Sequence, residues 1–583
     1  MIQELNKTKC YTEKTKGNYE MYRNRTKNYP YYEVRGVKDL RHLIDDTAGL
    51  FSEKKALIYK VNGEERSLTY KNLKTTVDSL GSALCKRGLG DTHIGIIGEN
   101  SGFWIIAYLT TLNLKGVVVP IDKDLGKDDL RRVLTDGDVT AVFYASSMRE
   151  KLAEANVGQI TDYICMDRKD GLPDGHLYME DLILEGGDLL AAGDRTYVDI
   201  VPDYEGLKQL MFTSGTTGKS KGVMLSQKTL CFNIIKSQEL MKITERCLSV
   251  LPYHHAYEAT CGILTMLHHG MTIVVNDSLR NVVSNLKKYK PTEMLIVPLF
   301  AETFYRRIME KIKEQGKEKT FIRGLKLSNT LLKAGIDVRK KLFGEILENF
   351  GGELLILICG GAPLKPYLAE FFDGIGIMLI NGYGITECGP LVAINRPCYH
   401  KSEAVGLPIK DIEIRIDNPN EKGEGEICVK GDNVMLGYYK NRKATDEVIV
   451  DGWFHTGDIG KFDSDGFLYI TGRIKNMIVL KNGENIYPEE IEDALSDIEL
   501  ISEVIVYGAK LSETGDKGLG AEIYPDFEAA KKKGVTDVQA AIREEISKYN
   551  AQRPHYKTIK EIRFRDTEFE KTTSKKIKRK YDK

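Results

Sequence analysis

Through the first third of the chain, apolar residues recur with two alternating periods. Thr69 reads as a helix N-cap, and Leu73, Val77, Leu80 and Leu84 fall on one helical face before Gly88 ends the element. Apolar runs follow at residues 93–97, 116–120, 140–144 and 163–166, each the length of a buried strand. Helical and extended patterns in alternation predict an α/β fold of parallel layers. The longest apolar region, 103–121, is interrupted by Asn113, Lys115 and Gly116, so it predicts a buried helix and then a strand, not a membrane span. Residues 423–437 are Gly-rich with alternating apolar positions, which predicts a small β subdomain. Beyond Arg473 the pattern is that of a compact α+β unit, with a strand at 504–507 and a helix over 537–549.

One stretch follows neither period. In LMFTSGTTGKSKGVMLSQ, residues 210–227, two apolar runs flank ten residues of hydroxyls, glycines and lysines, which predicts strand, loop, strand. Gly215, Gly218 and Gly222 let the backbone turn its N–H groups onto an anion, while Thr213, Ser214, Thr216, Thr217, Lys219 and Lys221 add donors and charge. The pattern suits a polyphosphate. A Walker P-loop would need a glycine where Thr213 stands and a helix straight after Lys219. Taken alone, the loop also reads as an ordinary ligand-free surface loop.

Composition bounds these readings. At 583 residues the chain exceeds a single core and implies at least two domains. Lys plus Arg and Asp plus Glu both total 84, so no overall field favours nucleic acid, and any anion site has to be local. The ten cysteines include no C-x-x-C pair, which fits reduced thiols in a soluble, cytoplasmic protein. The first thirty residues are polar and charged and contain no apolar signal core.

The wording TSGTTGKSKG at 213–222 resembles the phosphate loop of the adenylate-forming superfamily: acyl-CoA synthetases, luciferases and the adenylation domains of peptide synthetases. Other pieces resemble that superfamily's remaining motifs in order: LPYHHAYE at 251–258, ICGGAPL at 358–364, NGYGITECGP at 381–390, WFHTGD at 453–458, FLYITGR ending at Arg473, and TTSKKIKR at 572–579. The resemblance implies an extension over 1–44, a large ATP- and acyl-binding domain over 45–474 that includes the β subdomain, and a small mobile α+β lid over 475–583.

It also implies roles for particular residues. Thr213, Ser214, Gly215, Thr216, Thr217, Gly218 and Lys221 hold the phosphates of ATP. Gly360, Gly361 and Ala362 form one wall of the adenine slot, and Asn381, Gly382, Tyr383 and Gly384 complete it, with Tyr383 as the stacking partner. A flat glycine backbone opposite an aromatic face suits a purine. Thr386 donates to a phosphate, and Glu387 holds Mg²⁺. Asp458 accepts from the ribose hydroxyls and Arg473 reaches the same sugar. His255 faces the acyl chemistry, with His254 a weaker match. Lys475 is the hinge, Gly483 lies beside the channel for coenzyme A, and Lys576 is the catalytic lysine. There are two departures: Lys575 replaces the usual glycine, and Glu570-Lys571 stands where proline plus a basic residue is common.

Each residue also has a plainer reading: a loop pair for the histidines, an exposed carboxylate for Glu387, a turn residue for Asp458 and a solvated tail for the terminal lysines. The ordered set, with Asn550 and the His–His pair, resembles the long-chain fatty acyl-CoA synthetase subgroup. The implied reaction joins a carboxylic acid to ATP as acyl-AMP, releases pyrophosphate, and transfers the acyl group to coenzyme A. A carrier-protein acceptor, an aryl or bile acid, and a luciferase-like oxidoreductase stay open. The implied partners are small molecules, with transient peripheral membrane contact possible and no nucleic acid.

Overall fold

The computed structural model describes residues 31–168, 171–213, 220–242, 244–334, 336–397, 399–479, 485–510, 517–571 and 577–579. They fall into two compact units, the first taking the described residues up to 413 with 429–454 and 466–468, and the second taking 414–428, 455–465 and the described residues from 469 onward.

The first unit contains two large sheets. Spatially, the eight-stranded one runs Gly437–Tyr438, Lys221–Ser226, Leu207–Thr213, Val117–Ile121, His93–Ile97, Val139–Tyr144, Asp162–Cys165, Leu177–Tyr178. The four strands expected from the N-terminal pattern lie together in it as parallel neighbours. Helix Tyr70–Lys86 starts where expected, with Thr69 Oγ1 accepting from Asn72 N at 3.2 Å. It buries Leu73, Val77, Leu80 and Leu84. Helix Gly102–Leu112 is buried on every side, which is why its sequence is apolar all round.

The nine-stranded sheet runs Leu407–Pro408, Leu391–Ile394, Met378–Gly384, Ile356–Cys359, Glu293–Ile296, Arg246–Ser249, Thr272–Val275, Lys55–Val61, Glu64–Thr69. Its central strands are parallel. Covered on both faces, they are short continuous apolar runs such as TIVV and ILIC.

The predicted β subdomain is divided. Gly425–Gly431 joins a small sheet with Ile412–Asp417 and Trp453–Phe462, whereas Gly437–Tyr438 pairs with Lys221–Ser226 in the eight-stranded sheet. Alternation shows that a strand exists, but its partner depends on contacts distant in sequence.

The second unit has its own core. Strands Ile501–Lys510, Lys517–Pro525 and Ile559–Phe564 form one sheet. Helices Pro488–Leu495 and Val538–Ala551 bury Ile491, Leu495, Ile542 and Ile546 with Val506 and Leu519. Asp537 caps the second helix, accepting from Ala540 N at 2.9 Å. Among the described residues no helix is long and apolar enough to cross a membrane.

Candidate functional site

Strands Leu207–Thr213 and Lys221–Ser226 pair antiparallel, with Thr213 opposite Lys221. A strand and not a helix therefore begins at Lys221, which removes the Walker alternative. Ser214, Gly215, Thr216, Thr217 and Gly218 lie outside the described residues. The Lys221 ammonium sits 4.5 Å from the centre of the Tyr438 ring. The Tyr438 hydroxyl donates to Glu387 Oε1 at 3.0 Å. Residues from three distant segments are thus linked cation to ring to carboxylate. Burial, reinforced by Glu387, pushes the Tyr438 hydroxyl above its ordinary pKa, so it stays a neutral donor.

No motif pointed to Tyr438. Its place follows from the pairing of Gly437–Tyr438 with Lys221–Ser226.

Thr386 and Glu387 occupy a single 3-10 turn, Thr386–Cys388. Asn233 clamps that turn, donating to Cys388 O at 3.2 Å and accepting from Leu391 N at 2.8 Å. Met435 N donates to Glu387 O at 2.8 Å. Glu387 is thereby a hard oxygen donor on a braced backbone, beside a neutral hydroxyl and near a lysine, a donor type that fits Mg²⁺.

The two glycine motifs meet because their strands are neighbours. Ile356–Cys359 and Met378–Gly384 run parallel with Cys359 opposite Asn381, so Gly360 lies level with Gly382 at the carboxyl ends of the strands. Ligands of open α/β sheets bind at such ends. Gly361 has φ +84°, a conformation that a side chain disfavours. Tyr383 is 8% exposed. Ala362 is exposed at the rim. Asn381 is 6% exposed, and its Oδ1 has no hydrogen-bond partner among the described residues. A buried acceptor left open beside a glycine slot fits the exocyclic amine of a purine.

Gly384 tolerates no side chain, since a Cβ there would lie 2.4 Å from Pro390 O. Gly384→Ala is expected to force the neighbouring backbone apart at a cost of about 1–3 kcal/mol. A lowered melting temperature together with weaker nucleotide binding would show it. Wild-type values for both would count against a tightly closed slot.

A cavity, partly open to solvent, begins at Gly360, Gly361, Gly382, Tyr383 and Gly384. It continues along helix Gln227–Leu240, the π-helix Tyr257–Leu264 and strand Glu293–Ile296. The His254 and His255 rings pack with centroids 4.2 Å apart. Burial lowers the His254 pKa, and its Nε2 lies 3.5 Å from Asp122 Oδ2. The cavity wall is reached two residues beyond His255, at Tyr257, whose hydroxyl donates to Ile358 O at 2.9 Å. The next residue, Glu258, is buried, accepts from Ser249 Oγ at 2.5 Å and is pushed up to about 8 by burial. Single π-helical turns of this kind recur at functional sites.

In the second unit, Asp458 and Arg473 meet at 2.8 Å, the aspartate side chain 5% exposed and the arginine 50% exposed. Thr456 Oγ1 accepts from Asp458 N at 3.0 Å. Lys475 is exposed in the 3-10 turn Ile474–Asn476, directly after Arg473. Gly483 and Lys576 lie outside the described residues. Flanking Lys576, Lys571 and Ile577 form an antiparallel bridge, and Arg579 pairs with Glu492.

A family model described as "AMP-binding enzyme" matches residues 44–439, and one described as "AMP-binding enzyme C-terminal domain" matches residues 475–581. Long chain acyl-CoA synthetase 2 of Arabidopsis thaliana is 28% identical over 481 residues, covering 76% of this chain and 71% of that protein. Long-chain-fatty-acid–CoA ligase 1 of Homo sapiens is 28% identical over 513 residues, covering 80% and 71%. The fold is that of o-succinylbenzoate coenzyme A synthetase from Bacillus subtilis, solved in complex with ATP and magnesium ion, with a TM-score of 0.70, 23% identity, and coverage of 92% of this chain and 98% of that one.

Proposed function

The chain belongs to the AMP-binding enzyme family, and on that premise we propose that it is an ATP-dependent acyl-CoA synthetase acting on an aliphatic, fatty-acid-type carboxylate. The observation that carries the reading is one continuous cavity joining a glycine-walled slot to a mostly apolar chamber. Curated relatives named as long-chain acyl-CoA synthetases support the acid class.

In the first half-reaction a carboxylate oxygen attacks the α-phosphorus of ATP and pyrophosphate leaves. In the second the coenzyme A thiol, giving its proton to solvent, attacks the acyl carbon, and AMP leaves with the electron pair of the broken acyl–oxygen bond. The first approach brings two anions together and the second expels one, so the protein has to supply fixed donors and positive charge. Lys221 and the loop Thr213–Ser214–Gly215–Thr216–Thr217–Gly218 fill that role at the phosphates, with Thr386 beside them. Glu387 would hold Mg²⁺, which when bound neutralises phosphate charge. Gly360, Gly361, Ala362, Asn381, Gly382, Tyr383 and Gly384 bind adenine, Asp458 and Arg473 bind the ribose, and His255 lies toward the acyl carbon. Residues 475–583 form a lid pivoting at Lys475 that carries Lys576 and, through Gly483, borders coenzyme A. Eight free cysteines among the described residues suit the cytoplasm.

The decisive experiment is acid-dependent exchange of pyrophosphate into ATP across a panel of acids, followed by mass spectrometry of the products with coenzyme A and with a carrier protein. Exchange with fatty acids and a coenzyme A thioester product are expected. Exchange with no acid tested would end the reading, and thioester on the carrier protein alone would reassign the acceptor.

Tyr438→Phe keeps the ring under Lys221 but removes the donor to Glu387. Losing a hydrogen bond to a charged acceptor costs about 1.5–3 kcal/mol, so the magnesium concentration needed for half-maximal rate is expected to rise by about tenfold or more. An unchanged magnesium titration would detach Tyr438 from the site.

A further inference from the structure

Three adjacent strands of the small sheet bring a carboxylate, a thiol and an imidazole together. Asp417 ends strand Ile412–Asp417, Cys428 lies in the middle strand Gly425–Gly431, and His455 lies near the start of Trp453–Phe462. All three belong to the second unit. Each places a ligand atom within 4.8 Å of a ligand atom of the other two. Cys428 is 0% exposed, and its Sγ lies 3.4 Å from His455 Nδ1. The same nitrogen lies 2.8 Å from Glu426 Oε2. Glu426, two residues before Cys428, shares its face of the middle strand. None of these four side chains holds nucleotide or acid in the proposed reaction.

Spacing, support and charge all suit a divalent cation. A tetrahedral ion with sulfur at about 2.3 Å and nitrogen at about 2.0 Å sets those two atoms about 3.5 Å apart. Sγ and Nδ1 already stand at 3.4 Å. Asn418 Nδ2 donates to Asp417 Oδ2 at 3.2 Å and Gly457 N to Glu426 Oε1 at 3.0 Å, so hydrogen bonds orient both carboxylates, as outer partners do around bound metals. With Cys428 as thiolate, it and the two carboxylates are all anionic. The Arg415 guanidinium beside the thiol offsets one of these charges, and a divalent ion offsets the rest. One sulfur and one imidazole nitrogen select zinc or cobalt over magnesium and calcium, which prefer oxygen.

We propose that Asp417, Cys428 and His455 form a binding site for a zinc-class divalent cation, with Glu426 at its edge. On binding, the thiol gives its proton to solvent, and the imidazole keeps its one proton on Nε2, leaving Nδ1 to the ion. A filled site ties Trp453–Phe462, the strand that carries Asp458, to its two neighbours. This goes beyond the acyl-CoA synthetase reading and does not depend on it.

The test titrates Co²⁺ alone into the full-length protein, stripped with a chelator and freed of nucleotide, as wild type, Cys428→Ser and His455→Ala. Wild type is expected to bind about one ion per chain and to show a thiolate-to-cobalt charge-transfer band. Zn²⁺ should abolish the band, whereas Mg²⁺ in about hundredfold excess should not. Cys428→Ser is expected to lose the band, and His455→Ala to weaken cobalt binding by about tenfold or more. Zn²⁺ should raise the melting temperature of wild type and leave that of Cys428→Ser unchanged. Absence of the band in wild type overturns the proposal whether or not the variants fold. A band that persists in folded Cys428→Ser moves the ion to another thiol, and wild-type affinity in folded His455→Ala removes the imidazole; either result defeats the site. Displacement by Mg²⁺ defeats it too. Since neither acid, ATP nor coenzyme A is present, failure of the synthetase reading leaves every one of these outcomes standing.

Discussion

Lys576→Ala is expected to slow acyl-adenylate formation by about 10²–10³-fold, the loss typical of one preorganised donor at a developing oxyanion. Thioester formation from supplied acyl-AMP and coenzyme A is expected to stay near the wild-type rate. The difference arises because only the first half-reaction passes through a pentavalent centre at phosphorus. If the lid carries Lys576 to that step and withdraws it for the second, the two rates separate. The substitution should leave the fold intact, because the chain on either side is tied independently, by the Lys571–Ile577 bridge and by Arg579 on Glu492. Lys575→Ala is the control: adjacent and equally charged, it should leave both rates unchanged. Following each half-reaction separately in both variants tests the assignment. Equal losses in the two half-reactions for Lys576→Ala would rule out the moving lid, and a larger adenylation defect in Lys575→Ala would shift the motif register by one residue.

Asp458→Ala is expected to raise the ATP requirement by about ten- to a hundredfold, since the charge-assisted hydrogen bonding it gives the ribose is worth about 1.5–3 kcal/mol net. The structure adds the reason the fold should survive. Removing one member of a buried ion pair is damaging when it strands the other, but the Arg473 side chain is 50% exposed and keeps its hydration. The KM for ATP should therefore rise while the KM for the acid and the melting temperature stay close to wild type. An unchanged KM for ATP would take Asp458 out of the nucleotide site, and a large fall in melting temperature would make it a folding residue.

These two predictions use residues legible as motifs, whereas Tyr438 and Cys428 were not. Tyr438 is one of thirty tyrosines, and its link to Lys221 and Glu387 exists because a two-residue strand returns to the edge of the Leu207–Ser226 strand pair. Cys428 is one of ten cysteines, and it meets Asp417 and His455 because Gly425–Gly431 lies between their strands in the small sheet. The divided β subdomain makes the same point, since alternation along residues 423–437 carries no information about which sheet receives each strand.

What the chain determined by itself is what depends on near neighbours. The Thr69 cap, the all-apolar helix Gly102–Leu112, the parallel strands, the strand pair Leu207–Thr213 and Lys221–Ser226 and the order of the family's motifs follow from period, turn chemistry and residue type within a few positions of one another. Only the tertiary structure decided how Gly360 comes level with Gly382, what supports Glu387, and which residues line the cavity that begins at the glycines. Those depend on sheet register and helix packing between segments tens to hundreds of residues apart, and burial, unlike periodicity, is a property of the whole folded chain.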